Sequence, residues 1–110
     1  MSPVTIAIEN AILAIPPGKV STYGLVALAA GCPNGARQVV RVLHSRSRIA
    51  ALPWHRVLGK GSRSGTARIS LTGSGFDEQA ALLRSEGIIV DVDGMVDFVE
   101  FGCTPGMPGR

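Results

Sequence analysis

Apolar residues recur with the spacing of a helix at the start of the chain. Between positions 4 and 15 they fall every three or four residues, directly after Ser2 and Pro3, which are typical of a helix N-terminus. Pro16 cannot continue a helix, so the pattern predicts a first helix that ends near Ile15.

Two further helical repeats follow, separated by a short turn that contains glycine. One is predicted to run from a cap at Ser21 or Thr22 to Ala30, and the next from a cap at Asn34 to about His44. Their inward-facing residues are predicted to be Leu25, Leu28 and Ala29 in the first and Val39, Val42 and Leu43 in the second. Two short helices joined in this way are typical of a helix-turn-helix motif.

The second half of the chain begins with a segment of weak periodicity. Residues 59–75 are rich in Gly, Ser and Arg, which predicts a loop. A helix is then predicted from Phe76 to Glu86, with Asp77 and Glu78 near its positive end and a stop at Gly87.

The last apolar segments indicate β-structure. Residues 88–92 and 95–99 flank an Asp93-Gly94 dipeptide, which predicts a hairpin with a two-residue turn. The fold class is therefore predicted to be mainly α, a winged-helix-like helix-turn-helix domain with a small C-terminal β-hairpin. We expect one domain at 1–101 and a flexible tail at 102–110, which is rich in Gly and Pro.

Composition excludes several classes of protein. With 45% hydrophobic and 17% charged residues the chain is typical of a globular domain, and no apolar run approaches the ~20 residues of a membrane span. The two cysteines are far apart and the N-terminus does not resemble a signal peptide, so an intracellular protein is expected, in the cytoplasm or nucleoid if it is bacterial. The two cysteines and two histidines have no metal-binding spacing, so no metal site is expected.

Charge is segregated along the chain more than the net value of +3 indicates. Positions 37–76 contain eight basic residues and no acidic one, whereas seven of the eight acidic residues follow from Asp77 onward. A basic surface of this kind suits a polyanion such as DNA, although a solvated basic loop would give the same count.

Four motifs, in order along the chain, resemble the O6-alkylguanine-DNA alkyltransferases. Residues 18–24 (GKVSTYG) resemble that family's Gly-x-Val-Ser/Thr-x-Tyr stretch, and residues 36–39 (ARQV) resemble the Ala-Arg-x-Val start of its recognition helix. Residues 53–57 (PWHRV) resemble its Pro-Cys-His-Arg-Val active-site run, and residues 85–87 (SEG) resemble its late Glu-Gly. With Trp54 in place of the reactive cysteine, the chain is similar to the alkyltransferase-like subfamily.

The resemblance implies a binding protein and not an enzyme. Alkyl transfer needs a thiolate nucleophile, and an indole ring has no comparable group. We therefore expect no catalytic residue and no cofactor, with His55 and Glu86 as vestiges of the family's proton relay. Trp54 is expected to stack on an extruded base, an interaction worth roughly 1–3 kcal/mol.

The resemblance also implies the residues of the binding site. Arg37 is expected to fill the gap that a flipped nucleotide leaves, and Tyr23 to crowd the phosphate of that nucleotide. The alkylguanine pocket is expected to contain Trp54, Tyr23, Pro53, His55 and Arg68, with Arg63 as a rival to Arg68. The DNA-binding surface is expected to contain Arg37, Tyr23, Ser21, Thr22, Ala36, Gln38, Arg41, Arg46 and Lys60. Val40 departs from the family's glycine at that position and adds bulk to the helix that enters the minor groove.

The expected function is recognition of O6-alkylguanine in duplex DNA by base flipping, which marks the lesion for nucleotide-excision repair proteins. The chain is expected to act as a monomer and not to have a membrane as a partner. Two alternatives remain open: a DNA-architectural or interaction domain without lesion preference, and a dealkylase in which His55 and Glu86 activate water.

Overall fold

Helices at both ends of the chain enclose a small sheet in the computed structural model, which describes residues 2–105. The helices are α1 Pro3–Leu13, α2 Tyr23–Ala29, α3 Ala36–Arg46, α4 Gly73–Ser85 and α5 Phe98–Phe101. The strands are β1 Ser21–Thr22, β2 Val57–Lys60, β3 Thr66–Arg68 and β4 Met95–Asp97. The predicted fold class, a mainly helical helix-turn-helix domain, is confirmed.

Side-chain caps set the starts of the first two helices. Ser2 Oγ accepts a hydrogen bond from Thr5 N at 3.2 Å, and Thr22 Oγ1 accepts one from Leu25 N at 3.2 Å. These bonds satisfy amide groups that have no partner within the helix. Of the two caps proposed for α2, it is therefore Thr22 that acts.

Two predictions for the helix-turn-helix were wrong in detail. The cap position of α3 is Gly35, not Asn34, and a Cβ at 35 would lie 2.8 Å from Cys32 Cβ, so the closed turn requires glycine there. The buried residues of α2 are Val26 and Ala27, whereas Leu28 is exposed. A helix of seven residues makes only two turns, so its apolar pattern does not fix which face is buried.

The sheet has the order β1-β2-β3-β4, and its strands differ from those predicted. β1 runs parallel to β2, and the other pairs are antiparallel. The hairpin is formed by β2 and β3, and the end of β2 and all of β3 lie in the segment predicted as a loop, 59–75. β4 pairs with β3, with Ala67 opposite Val96, instead of pairing with residues 88–92.

The Asp93-Gly94 turn is present although its flanks form no hairpin. Asp91 Oδ1 accepts hydrogen bonds from Asp93 N at 2.9 Å and Met95 N at 2.8 Å, which closes the turn. Gly94 has φ +81° and packs so closely that a Cβ would lie 2.6 Å from Phe76 Cε2. Before the turn, Ile88 and Val90 are buried in a core and not in a ladder.

Two hydrophobic clusters meet at β2. Val57 packs with α1, α2 and α3, whereas Leu58 packs with α4 and the segment after it. Successive residues of a strand point to opposite faces, so one strand serves both clusters. This arrangement holds the segment directly before β2, residues 53–56, between the helix-turn-helix and α4.

α4 is longer at its start than predicted. It begins at Gly73, so Asp77 and Glu78 lie beyond its first turn and cannot act at its positive end. Its end is as predicted, because Glu86 occupies the cap position and Gly87 follows with φ +84°.

The start of the expected tail is held to the domain. Cys103 N donates to Val20 O at 2.8 Å, and Gly102 forms a parallel bridge with Val20. The rest of the predicted tail, 106–110, lies outside the described residues. None of the helices within residues 2–105 has the length and apolar character needed to cross a membrane.

Candidate nucleic-acid interface

Trp54 lies in the wall of an open cavity of about 270 Å³. It is the first residue of a short 3-10 helix, Trp54–Arg56, which follows buried Leu52 and joins the helix-turn-helix to β2. The cavity is lined by Tyr23, Val40, Leu43, His44, Ser47, Trp54, Val57, Leu71 and Gln79. Its mostly apolar wall with a few polar groups is typical of a site for a small planar ligand.

Tyr23 is the first residue of α2 and faces the same cavity. Its hydroxyl lies 2.7 Å from Ser70 Oγ, in the segment between β3 and α4. This bond ties the ring to the segment that precedes α4. The structure thus brings Tyr23 and Trp54 together, as the sequence motifs predicted.

α3 presents one edge to the cavity and another to α1. Arg37, Val40 and His44 follow each other at intervals of three and four residues, and all three are exposed. Val40 and His44 line the Trp54 cavity, and Arg37 lies one turn before Val40 at the start of the helix. We define this row, Arg37, Val40 and His44, as the cavity edge of α3.

Gln38 and Arg41 lie on the other edge of α3. Both line a groove between α3 and the start of α1, whose other members include Ser2 and Thr5. Ala36, the first residue of α3, is exposed. Among the α3 residues expected to contact DNA, Arg37 alone belongs to the cavity edge.

Two residues expected to contact DNA have other roles in the structure. The Arg46 guanidinium pairs with Glu9 of α1, with Nε 2.5 Å from Oε2. Ser21 is a fully buried residue of β1, and its Oγ has no hydrogen-bond partner among the described residues. Ser21 therefore has no surface to offer to DNA.

Lys60 and Arg68 lie in a second cavity, of about 590 Å³, next to the first. Both cavities share Leu71 in their walls. Arg68 Nε donates to Asp93 O at 3.2 Å, and the side chain does not line the Trp54 cavity. Arg63 lines a different depression, together with Asp97 and Glu100. Neither arginine thus lies beside Trp54.

His55 turns away from the cavity that its neighbour lines. Its Nε2 lies 2.7 Å from Glu86 Oε2, and the two rings of Trp54 and His55 are nearly perpendicular. Pro53 precedes this pair at the cap position of the 3-10 helix and is half-buried. His55 and Pro53 therefore support the position of Trp54 from behind.

Glu86 is the centre of a polar cluster on that inner side. Its carboxylate accepts hydrogen bonds from Arg56 Nη2 at 2.8 Å and from Gly18 N at 3.0 Å, in addition to its contact with His55. Burial raises the pKa of Glu86, but the bonds from Arg56, His55 and Gly18 outweigh it and lower the pKa from 4.5 to about 2. The carboxylate is ionised at neutral pH and ties α4 to the 3-10 helix and to the loop before β1.

No thiol lies at the cavity. Cys32 belongs to the turn between α2 and α3, and Cys103 packs against the helical core. Burial raises the pKa of the Cys103 thiol, and the positive charge of Lys19 only partly offsets this, so Cys103 is a poor nucleophile. Within residues 2–105 no group of His, Cys, Asp and Glu has the geometry to hold a metal ion.

The sequence motifs did not identify several residues of the cavity, among them His44, Leu71 and Gln79. His44 could have been found from its spacing of seven residues after Arg37 on the same helix edge. Gln79 and Leu71 carry no local signal: α4, which carries Gln79, packs against the 3-10 helix at 54–56, and Leu71 lies in the segment before α4.

The sequence matches a family model described as "6-O-methylguanine DNA methyltransferase, DNA binding domain" over residues 3–88. Among curated proteins, a DNA base-flipping protein of Escherichia coli is 44% identical over 90 residues, which cover 82% of this chain and 66% of that protein. Alkyltransferase-like protein 1 of Schizosaccharomyces pombe is 36% identical over 81 residues, which cover 74% of this chain and 72% of that protein. The chain thus spans about two thirds of the Escherichia coli relative.

Solved structures share the fold. Schizosaccharomyces pombe Atl1, in complex with damaged DNA containing O6-carboxymethylguanine, superposes with a TM-score of 0.75 and 30% identity, over 96% of this chain and 98% of that chain. The O6-methylguanine methyltransferase of Mycobacterium tuberculosis superposes with a TM-score of 0.61 and 28% identity, over 78% of this chain and 49% of that chain.

Proposed function

The chain is an alkyltransferase-like member of the 6-O-methylguanine DNA methyltransferase family, and from that premise we propose that it binds O6-alkylguanine in duplex DNA without repairing it. The cavity edge of α3 enters the minor groove, the modified nucleotide is flipped, and its base enters the Trp54 cavity. The observation that carries the proposal is the shared cavity of Trp54 and Tyr23 directly beside α3. Its relatives named for base flipping and its likeness to a complex with damaged DNA support the same reading.

Placement of the aromatic rings supports base capture. Trp54 is half-buried, so its indole is held by the protein while part of it remains free to contact a ligand. A planar base gains stacking energy on such a ring whatever its substituents. Arg37, two helical turns before His44 on the same edge, is placed to occupy the gap in the duplex.

The same site supports binding without chemistry. An alkyl group in the Trp54 cavity has no thiolate to attack it, because both cysteines lie elsewhere. Hydrolysis by His55 and Glu86 has little support, since His55 Nε2 is bonded to Glu86 and Arg56 neutralises that carboxylate. The protein is accordingly a non-enzymatic sensor, acting as a monomer inside the cell, whose complex marks the lesion for nucleotide-excision repair proteins.

Titration onto matched duplexes tests this function. Fluorescence anisotropy at fixed salt should give tighter binding to a duplex with one O6-methylguanine than to the same duplex with guanine. After prolonged incubation with excess protein, nuclease digestion and mass spectrometry should recover all of the methyl group on guanine.

Two results would contradict the proposal in different ways. Equal affinity for both duplexes would leave a general DNA-binding domain without lesion preference. Methyl groups found on the protein, or released as methanol, would make it an enzyme.

A further inference from the structure

Gln79 is a buried polar residue in the wall of the Trp54 cavity. It lies in the middle of α4 and retains only 3% of its exposure, yet its side chain carries two hydrogen-bond donors and an acceptor. Buried polar groups of this kind normally make hydrogen bonds, so a partner is expected for each polar atom of Gln79.

The donors of Gln79 are both engaged by backbone carbonyls. Nε2 lies 3.0 Å from His55 O and 3.2 Å from Val57 O. Both partners can only accept, so the amide cannot be turned over without placing oxygen against oxygen. The orientation of the amide is therefore fixed by the chain on either side of Arg56.

The acceptor of Gln79 is free. Oε1 makes no hydrogen bond within the described residues. Among those residues, Ser21 Oγ is the side-chain N or O atom that has neither solvent contact nor a hydrogen-bond partner, so Gln79 Oε1 has some contact with solvent. Since Gln79 is almost completely buried and lines the Trp54 cavity, this access to solvent comes through the cavity. The two hydroxyls of the wall already have protein partners. The Tyr23 hydroxyl lies within hydrogen-bond distance of Ser70 Oγ, and Ser47 Oγ donates to Leu43 O.

We infer that Gln79 Oε1 accepts a hydrogen bond from the exocyclic 2-amino group of the flipped base, which makes Gln79 a specificity-determining residue. The inference rests on the proposed function. Alkylation at O6 removes the proton from N1 of guanine, so the 2-amino group is the one N–H donor left on the base. A fixed acceptor in the wall and a single donor on the ligand form a complementary pair.

A consequence for ligand class follows directly. O4-alkylthymine has no N–H donor, because alkylation removes the proton from N3 as well. It would leave Gln79 Oε1 without a partner after the cavity loses its water, which is unfavourable for a buried acceptor. The cavity is thus built for O6-alkylated guanine and discriminates against O4-alkylated thymine.

Deletion of the 2-amino group from the DNA tests the inference without altering the protein. Duplexes carrying O6-methylguanine or O6-methylhypoxanthine, each opposite an abasic residue so that no base pair differs, are titrated with the wild-type chain. We expect roughly three- to tenfold weaker binding to O6-methylhypoxanthine, the size of one net hydrogen bond. Equal affinity for these two duplexes would overturn the role of Gln79.

Two variants then assign the effect to Gln79. Gln79→Lys keeps donors for the carbonyls of His55 and Val57 but has no acceptor, and Gln79→Met has neither. In each, the ratio between the two duplexes should fall to about one, and thermal unfolding checks that both variants are folded. A ratio that stays at the wild-type value in a folded variant would place the acceptor elsewhere.

Comparison of wild-type binding to O6-methylguanine and guanine duplexes separates this inference from the proposed function. If the wild type binds O6-methylguanine no better than guanine, the function itself fails. If it prefers O6-methylguanine but ignores the 2-amino group, only the role of Gln79 fails.

Discussion

The rings of Trp54 and His55, adjacent in sequence, stand at 85° to each other with centroids 6.1 Å apart. The indole faces the open cavity, whereas the imidazole faces Glu86 on the inner side of the 3-10 helix. One short turn therefore presents the Trp54 ring to the cavity and the His55 ring to the polar cluster around Glu86. This arrangement gives His55 a structural role. The histidine therefore remains useful at the position of the family's proton relay, although no thiol is present for it to activate.

Substitution of Trp54 should remove most of the lesion preference. Trp54→Ala is expected to lower the affinity for O6-methylguanine duplex by roughly 1–3 kcal/mol, the stacking energy of one base, and Trp54→Phe by less. Trp54 is the single tryptophan of the chain, so its fluorescence reports on the cavity directly. Wild-type fluorescence should be quenched more by lesion DNA than by undamaged DNA. Equal quenching by both would argue against stacking at this ring.

Arg37 and Tyr23 should control base flipping. Arg37→Ala is expected to reduce lesion affinity by a few kcal/mol at most, about the unstacking energy that the side chain offsets, and to reduce the fluorescence rise of 2-aminopurine at the target position. Tyr23→Phe loses only the bond to Ser70 and should be milder than Tyr23→Ala. Arg63→Ala makes the same charge change beside Asp97 and Glu100, away from the cavity, and should leave the signal unchanged. Tight binding by the wild type with no 2-aminopurine signal would exclude flipping.

Arg46 and Lys60 should separate in their effects, although both are basic residues of one charged segment. Lys60→Ala removes an exposed cation and should weaken binding to damaged and undamaged duplex alike. Arg46→Ala breaks the pair with Glu9 and leaves a carboxylate that is mostly buried, so it should lower the melting temperature. Glu9→Gln is the matched control and should also lower the melting temperature while sparing DNA affinity. A DNA-binding defect in Arg46→Ala with unchanged stability would restore its expected phosphate contact.

Glu86 should make the stability of the domain sensitive to acid. Its folded-state pKa, about 2, lies below its ordinary value of 4.5, so its contribution is present above pH 4.5 and is lost as pH falls toward 2. The shift corresponds to at most about 3 kcal/mol of unfolding free energy. Thermal unfolding from pH 6 to pH 2 should show this loss in the wild type. In Glu86→Gln the melting temperature should be lower at pH 6 and should fall less on acidification, and parallel curves would assign the acid sensitivity to other groups.

Local signals predicted the helices and the cavity aromatics because both depend on nearby residues. Proline, capping hydroxyls and glycine fixed most helix ends within a few residues, and the motifs around Tyr23 and Trp54 named two residues that the fold brings together. β3 was missed because Thr66 to Arg68 lies in a Gly- and Ser-rich segment, and its partner β4 begins 27 residues after β3 ends. Such non-local pairing leaves no trace in periodicity.

Tertiary contacts also give internal roles to polar residues that were predicted to lie on the surface. Ser21 is fully buried in β1, where it pairs with Val57 of β2, and Arg46 of α3 pairs with Glu9 of α1. Gln79 is the converse case, a residue of an amphipathic helix whose burial brings its amide to the cavity. None of the three could be assigned without knowledge of which helices and strands pack together.

The internal pairing of Arg46 and Arg56 limits how many cations the basic segment 37–76 can displace from DNA. Eight basic residues lie between positions 37 and 76, and two of them already neutralise Glu9 and Glu86, which leaves six. Each phosphate neutralised releases counterions and contributes about 0.9 to the slope of log affinity against log salt. The contribution of this segment to the slope should thus not exceed about 5, well short of what eight free charges would give. A slope of about 5 still lowers the affinity for undamaged DNA roughly a thousandfold between 50 mM and 200 mM salt, so lesion binding at physiological ionic strength should rest largely on the base in the Trp54 cavity.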